Sequence, residues 1–427
     1  MSRSIRRKGL PKTKLALEKA NDKIQAELTE THAKLRAAYD ANVTKAEKSA
    51  RPKALFLSAT PFAYEKNIAW AQGYLFDWNE GRPDESQTSR RYNEPDNYEA
   101  FMVQHFGYRM RYNKLTEPDA KVDRDLMQRE FNSMLKKAGS LSARMLDVPS
   151  DYQRVFALTP NSIGTKIDEG MTWLRESNDG KFRPVYDLVV QKFDYLSRQR
   201  LLEAMKAEAA IPLIQKWHAL GKKVVVFYDF NEGGGFSPFS LGRISEESME
   251  GAEGGQQEIM ELVQEFYDAR PDLLAINTSD LASPLDALRE AFPHAGVYNG
   301  QEAKKKPAAA MEAFNDDNNQ DANVLIVQSS ANAGWSAHDQ TGKNKRVLIN
   351  LGLPTAPTKA IQQEGRIYRQ GQNPDSDSMF VYLNTGTSWE RIAFANTIAR
   401  RASTAENLAM GEQARGLRDA FIQAFIS

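Results

Sequence analysis

From residue 196 onward the apolar positions fall into two alternating rhythms. Continuous β-branched runs, KKVVVFYDF at 222–230, ANVLIVQSS at 322–330 and RVLINLGL at 346–353, are separated by stretches in which apolar residues recur every three or four positions. Runs of the first kind suit strands buried on both faces, and stretches of the second kind suit helices. Helices are expected over Arg198–Leu220, EIMELVQEFYDA (258–269), SPLDALREAF (283–292) and KKPAAAMEAFNDD (305–317). Further strands are expected at AGVYNG (295–300) and MFVYL (379–383). Helix and strand in this alternation predict an α/β fold with a parallel sheet flanked by helices.

The N-terminal half reads differently. Leu17, Ile24, Leu28, Leu35 and Tyr39 form one narrow stripe on a long helix over 13–49, which either pairs with another helix or lies on a domain surface. Pro52 ends that helix, and Ala54–Leu57 read as a short buried strand that gives way abruptly to Ser58. Residues 63–195 read as a mainly helical, aromatic-rich insertion. Within it QHFGYRMRYNK (104–114) could stack on bases or be ordinary core with snorkelling arginines. The expected division is therefore 1–50, a basic arm and long helix; 51–62, a remnant strand; 63–195, the insertion; 196–390, the α/β lobe; and 391–427, C-terminal helices. A glycine-rich acidic stretch at 231–256 reads as a mobile surface loop, since no Lys-Ser/Thr follows it to make a phosphate cradle. Glu390 and Arg391 read as a surface cap.

Charge changes the picture only at one end. The 427 residues carry 56 Lys/Arg and 56 Asp/Glu. Residues 1–53, however, hold a surplus of eight positive charges, which suits nucleic-acid contact or a solvated basic terminus. The chain has no cysteine, so disulfides and thiolate chemistry are excluded. The five histidines have no ligand spacing, and no metal site is expected. With no apolar run long enough for a membrane span and no secretory signal, an intracellular, cytoplasmic protein without membrane partners is expected.

Candidate chemistry gathers at IQQEGRIYRQGQ, residues 361–372. If the helix continues through it, Gln362, Arg366 and Arg369 share one face. Two guanidiniums there could hold a terminal phosphate from two sides. Gly365 permits close backbone approach, and Gly371 ends the helix. The small-residue stretch SSANAGWSAHD (329–339) should emerge beside it at the carboxyl ends of strands, where ligands of such sheets bind. Lys304, Lys305 and Lys306 precede a helix and could contact backbone phosphates, or be plain solvated surface.

Together these stretches resemble the second RecA-like lobe of superfamily 2 helicases and translocases, in the Swi/Snf-type or strawberry-notch-like form of phage and mobile-element proteins. Gln362, Gly365, Arg366, Arg369, Gly371 and Gln372 match QxxGRxxRxGQ, motif VI of that family. Ser329–Asp339 looks like motif V, KKVVVFYDF like the motif IV strand, and Ser58-Ala59-Thr60 like motif III. The resemblance implies that Arg366 and Arg369 are arginine fingers and that Gln362, Gly365, Gly334 and Asp339 face the nucleotide. It implies that Ser58, Ala59 and Thr60 couple nucleotide state to strand binding, and that Ser329 and Ser330 touch nucleic acid. The sequence departs from the family at Trp335-Ser336-Ala337-His338, where many relatives have Gly-Leu-Asn.

Motifs I and II are absent: there is no GxxxxGK[ST], and no DEAD-like box precedes Ser58. The chain is therefore expected to bind ATP and Mg²⁺ only with a complementary lobe, and neither alone. Two readings stand. In the first, the chain is part of a DNA-dependent (rather than RNA-dependent) ATPase whose partner polypeptide, or a missing first lobe, carries motifs I and II. In the second, it keeps the helicase fold without turnover, as a nucleic-acid-binding or architectural subunit.

Overall fold

The computed structural model describes residues 14–48, 55–56, 62, 64–76, 97–112, 114–142, 150–235, 237–242, 254–300, 305–331, 334–352, 357–394, 404 and 407–408. The chain divides into two units, 1–57 and 58–427. The first is the helix α1 (Lys14–Lys48), on which Ile24, Leu28, Leu35 and Tyr39 are all exposed. The second runs through α2 (Asn97–Phe106), the hairpin strands β1 (Arg109–Arg111) and β2 (Lys114–Thr116), α3 (Arg124–Lys137) and β3 (Asp151–Leu158). It continues with α4 (Ser162–Glu176), α5 (Arg183–Lys192), α6 (Tyr195–Ala219), β4 (Lys223–Tyr228), α7 (Gly254–Ala269), α8 (Pro284–Ala291) and β5 (Gly296–Tyr298). Last come α9 (Lys305–Asn315), β6 (Val324–Gln328), β7 (Arg346–Asn350), α10 (Pro357–Glu364), β8 (Asp377–Asn384) and α11 (Ser388–Ala393).

The β-branched runs assemble into one six-stranded sheet in the order β3-β8-β7-β4-β6-β5, and every pairing in it is parallel. Alternate residues serve opposite faces. Val225, Phe227, Leu325, Val327 and Leu348 pack with Phe314 of α9 and Ala360 and Ile361 of α10. Val224, Val226, Ile326, Val347 and Ile349 pack with Ala207, Ala210 and Ile214 of α6 and Leu288 of α8. This is the doubly covered α/β architecture that the sequence implies. The chain leaves β4 towards β5 and leaves β7 towards β8, in opposite directions, so a crevice opens between the carboxyl ends of β4 and β7.

Several expectations need correction. The stretch 63–195 is not wholly an insertion, because β3 within it pairs along its full length with β8 as an edge of the main sheet. Its inward neighbours supply the burial that its own mixed sequence, DYQRVFAL, does not advertise. A separate aromatic cluster does form earlier, with Phe62, Phe101, Phe106, Tyr108 and Phe131 buried. Leu55 and Phe56, expected in a buried strand, are 84% and 48% exposed and lie in no strand; a strand exists only through its ladder. The first part of the glycine-rich stretch is packed rather than loose. Gly234 and Gly235 donate to the Leu281 and Thr278 carbonyls, both at 2.9 Å, and a Cβ on Gly233 would stand 2.2 Å from the Leu281 oxygen. Residues 243–253 lie outside the described residues. Glu390 is not a surface cap: it is fully buried against the equally buried Lys206 of α6 and accepts from the Thr385 backbone N–H at 2.7 Å.

The ion pair Arg154–Glu364 ties the edge strand to α10. Arg154 donates through Nε and Nη2 to the two carboxylate oxygens at 2.8 and 2.6 Å, and the Tyr382 hydroxyl donates to the same carboxylate at 2.7 Å. Removing one member strands a buried charge, which costs about 3–5 kcal/mol, whereas removing both is far milder. Glu364→Leu is therefore expected to lower stability by about 3–5 kcal/mol, and Arg154→Met combined with Glu364→Leu to recover most of it, as read by urea unfolding.

Candidate functional site

The helix that carries the arginine motif is shorter than its sequence suggests. α10 stops at Glu364, and 365–371 follow as turns. Its end tightens: the Arg366 N–H bonds the Gln363 carbonyl and the Ile367 N–H bonds that of Glu364, both three residues back. Gln362, Arg366 and Arg369 thus do not share a helical face. Eight residues of helix cover about 12 Å, which returns the chain from the carboxyl end of β7 towards its amino end. By Ile367, whose carbonyl accepts from the Ser378 hydroxyl at 3.2 Å, the chain has reached the start of β8, whereas the Arg366 guanidinium still lies over the Trp335 ring.

The segment 329–339 makes the same descent. It leaves β6 at Ser329, whose hydroxyl accepts from Gln363 Nε2 at 3.0 Å, while Asn350 at the end of β7 donates to Gln363 Oε1 at 2.5 Å. Lower down, the Ala337 N–H donates to the Arg366 carbonyl at 2.8 Å, and Arg366 Nη1 donates to the Trp335 carbonyl at 2.7 Å. The Arg366 guanidinium also sits 5.5 Å over the Trp335 ring. Trp335 itself is core, stacked on Phe227 and bonded through Nε1 to the Ala331 carbonyl at 2.9 Å. At the bottom, Arg346 at the start of β7 donates to the Ala337 carbonyl at 3.0 Å and to Asp317 at 3.0 Å.

The two arginines are therefore unequal. Arg366 is half-buried and clamped; burial, and then the neighbouring Arg369, shift its pKa downward. Arg369 is exposed and takes part in none of these contacts. His338 lies beside it, its pKa held below the ordinary imidazole range by burial first and by Arg369 and Arg346 next. Its Nδ1 is buried with no partner among the described residues. Gly371, at φ +93°, brings backbone close to this ring: a Cβ there would lie 3.6 Å from His338 Nε2. Of the basic groups gathered here, Arg369 is the exposed one and Arg346 is buried.

The remaining sequence candidates divide. Gln362 is exposed on α10, and Gly334 is an exposed turn residue at φ +82°. Asp339 is wholly buried: Oδ1 accepts from the N–H groups of Thr341 and Gly342 at 3.0 and 2.9 Å, and Oδ2 from the Ser376 hydroxyl at 2.8 Å. It holds its own loop to the 373–376 turn. Gly365 is half-buried, and its N–H donates to the Ile361 carbonyl. Ser330 is exposed next to Ser329. Lys305 and Lys306 open α9, but their side chains, Lys304, and the whole of Ser58, Ala59 and Thr60 lie outside the described residues. Sequence reasoning missed Gln363, although the phase set by Ala360, Ile361 and Ile367 turns it inward and Gln362 outward.

The crevice between β4 and β7 is occupied by the chain's own groups. Glu203 of α6 accepts from the backbone N–H groups of Asp229 and Phe230, each at 2.7 Å, and Lys359 of α10 pairs with Asp229 at 2.7 Å. Gly352 is required there, since a Cβ would stand 2.9 Å from Asp229 Oδ2 and 3.0 Å from Glu203 Oε1. Among the described residues no group of three or more His, Asp or Glu could hold a metal, and no helix is long and apolar enough to cross a membrane.

No protein-family model matches the chain, and no curated protein matches it. Among solved structures, similarity is found to the DUF1998 helicase MrfA bound to DNA and AMPPNP, at 13% identity and TM-score 0.23, over 49% of this chain and 24% of that one. S. cerevisiae Dbp5 bound to RNA and ADP BeF3 is similar at 9% identity and TM-score 0.28, over 76% of this chain and 58% of Dbp5. T4 UvsW is similar at 12% identity and TM-score 0.24, over 58% and 36%. The chain thus spans less than two thirds of the length of each.

Burial, and then Asp229, push the Glu203 carboxyl up to about 8. Between the ordinary carboxylate range and that value, the folded chain keeps a proton that the unfolded chain releases. Stability against urea is therefore expected to fall as pH rises towards 8, by at most about 1.4 kcal/mol per pH unit, and this component should be absent in Glu203→Gln.

Proposed function

We propose that this chain is the second lobe of a nucleic-acid-dependent ATPase of the helicase and translocase kind, working on DNA. Its nucleotide site is completed by a polypeptide, or an upstream region, that carries motifs I and II. The observation that carries this reading is the asymmetry of the arginines. Arg366 is clamped by its own carbonyl and guanidinium to Ala337 and Trp335, whereas Arg369, three residues on, is exposed. A guanidinium with no ion-pair partner among the described residues, beside a neutral-leaning His338, adds nothing evident to stability. It suits a developing negative charge on a phosphoryl group brought from outside.

The residues present fit a phosphate at Arg369. Mg²⁺ would be held by carboxylates of the complementary lobe, and nucleotide binding with metal supplies the cleavable anhydride. Arg369 then acts as the finger and Arg366 as its positioning residue. Gln362 and Gly334, both exposed, would meet the nucleotide. Asp339 acts by shaping the loop through its internal bonds, and Ser330 with Lys304–Lys306 would meet the DNA backbone.

The isolated chain is expected to hydrolyse ATP no faster than buffer. Adding the polypeptide with motifs I and II should yield DNA-stimulated hydrolysis that falls about a thousandfold in Arg369→Ala. Restored hydrolysis indifferent to Arg366 and Arg369 would overturn the proposal. DNA binding without hydrolysis in the combined system would instead favour a helicase-fold binding or architectural subunit.

A further inference from the structure

The hairpin of β1 and β2 carries three local costs at its tip that the fold does not require. Only Tyr112 and Asn113 join the paired strands. Loops of two residues favour turns with positive φ, filled by Asn, Asp or Gly. Tyr112 instead occupies its position at φ 49°, a region costly for a bulky side chain. The residue is also 80% exposed, so burial does not offset that cost. Behind it Arg111 and Lys114, both exposed, stand directly opposite each other across the ladder. Like charges in that register repel.

The base of the hairpin is, by contrast, firmly held. Leu115 packs on the Phe101–Phe131 cluster, Arg109 Nη1 donates to Asp119 at 2.9 Å, and the Thr116 hydroxyl donates to the Arg109 carbonyl at 2.9 Å. Phe106 and Tyr108 just before it are buried core. The aromatic and basic stretch 104–114 therefore splits into an anchored half and a displayed half.

One class of ligand relieves the exposed ring and the charge repulsion together: flat and apolar on its face, anionic along its backbone. We propose that Arg111, Tyr112 and Lys114 form a stacking site for single-stranded nucleic acid, with a base on the Tyr112 ring and phosphates between the two cations. A duplex hides its base faces in the stack, so the unpaired strand is the fitting form. The inference rests on the nucleic-acid side of the proposed function and is independent of its ATPase side.

The test is fluorescence anisotropy of a labelled oligothymidylate with the full chain, without nucleotide. Tyr112→Asn suits positive φ, so it keeps the fold, with a melting temperature no lower than wild type; it should weaken binding at least about fivefold. Tyr112→Phe should bind as wild type does, and Arg111→Gln with Lys114→Gln should flatten the salt dependence. A duplex of the same length should show no difference between wild type and Tyr112→Asn. If wild type and Tyr112→Asn bind the single strand equally, the hairpin site is wrong and the proposed function stands. If wild type binds no single strand at low salt, the hairpin site is wrong, and the proposed function is decided by the reconstituted hydrolysis alone.

Discussion

The two-point bond between Arg154 and Glu364 sets the geometry on which the rest of the lobe depends. Arg154 comes from an edge strand, and Glu364 is the last residue of the helix after β7. Arg154 also lies 4.9 Å over the Tyr152 ring and 5.8 Å over that of Phe380, so its plane is fixed before it meets the carboxylate. Held this way, Glu364 marks where α10 ends. Everything beyond it, from Gly365 to Gly371, turns under that constraint, and Arg366 reaches the Trp335 carbonyl because of it.

A second layer of fixed polar contacts replaces a helix between β6 and β7. From Gly334 to Thr341 the segment runs with Trp335 as its apolar anchor, and Asp339 folds its lower end on backbone N–H groups. Buried polar groups bonded on every side specify one arrangement rather than merely filling space. Such a segment can hold a neighbouring charge at a set height above the sheet, and this is the use proposed for Arg369. The upper crevice, filled by Glu203, Asp229 and Lys359, is by comparison a structural joint.

Much of this was legible in the residues. VVVFY, VLIVQ and RVLIN announced buried parallel strands by their β-branched density, and they are three of the four interior strands. The edge strand DYQRVFAL was not legible, because its stability comes from β8 and from a salt bridge to residue 364, neither of them local. The arginine motif was readable as a pair of cations, but the helix break at Glu364 was not, since QEGRIYRQ contains nothing that forbids helix except one glycine. Glu390 looked like a surface residue because charge usually is; the distant Lys206, together with Thr385, makes its burial tolerable. Gly233 and Gly234 looked like slack and proved to be close packing against 278–281.

The aromatic cluster near the start of the larger unit is closed by residues from far along the chain. Asn132 donates to the Leu408 carbonyl, Gln128 bonds Thr404, Asn407 bonds Asp125, and Leu408 is itself wholly buried among the aromatic rings. At a synthesis rate of about 5–20 residues per second, tens of seconds separate the emergence of these two halves from the ribosome. During that interval the cluster carries an open seat for Leu408, so the sheet between them can form first. Whatever recognises the nascent chain meets an exposed aromatic surface that the finished protein no longer has.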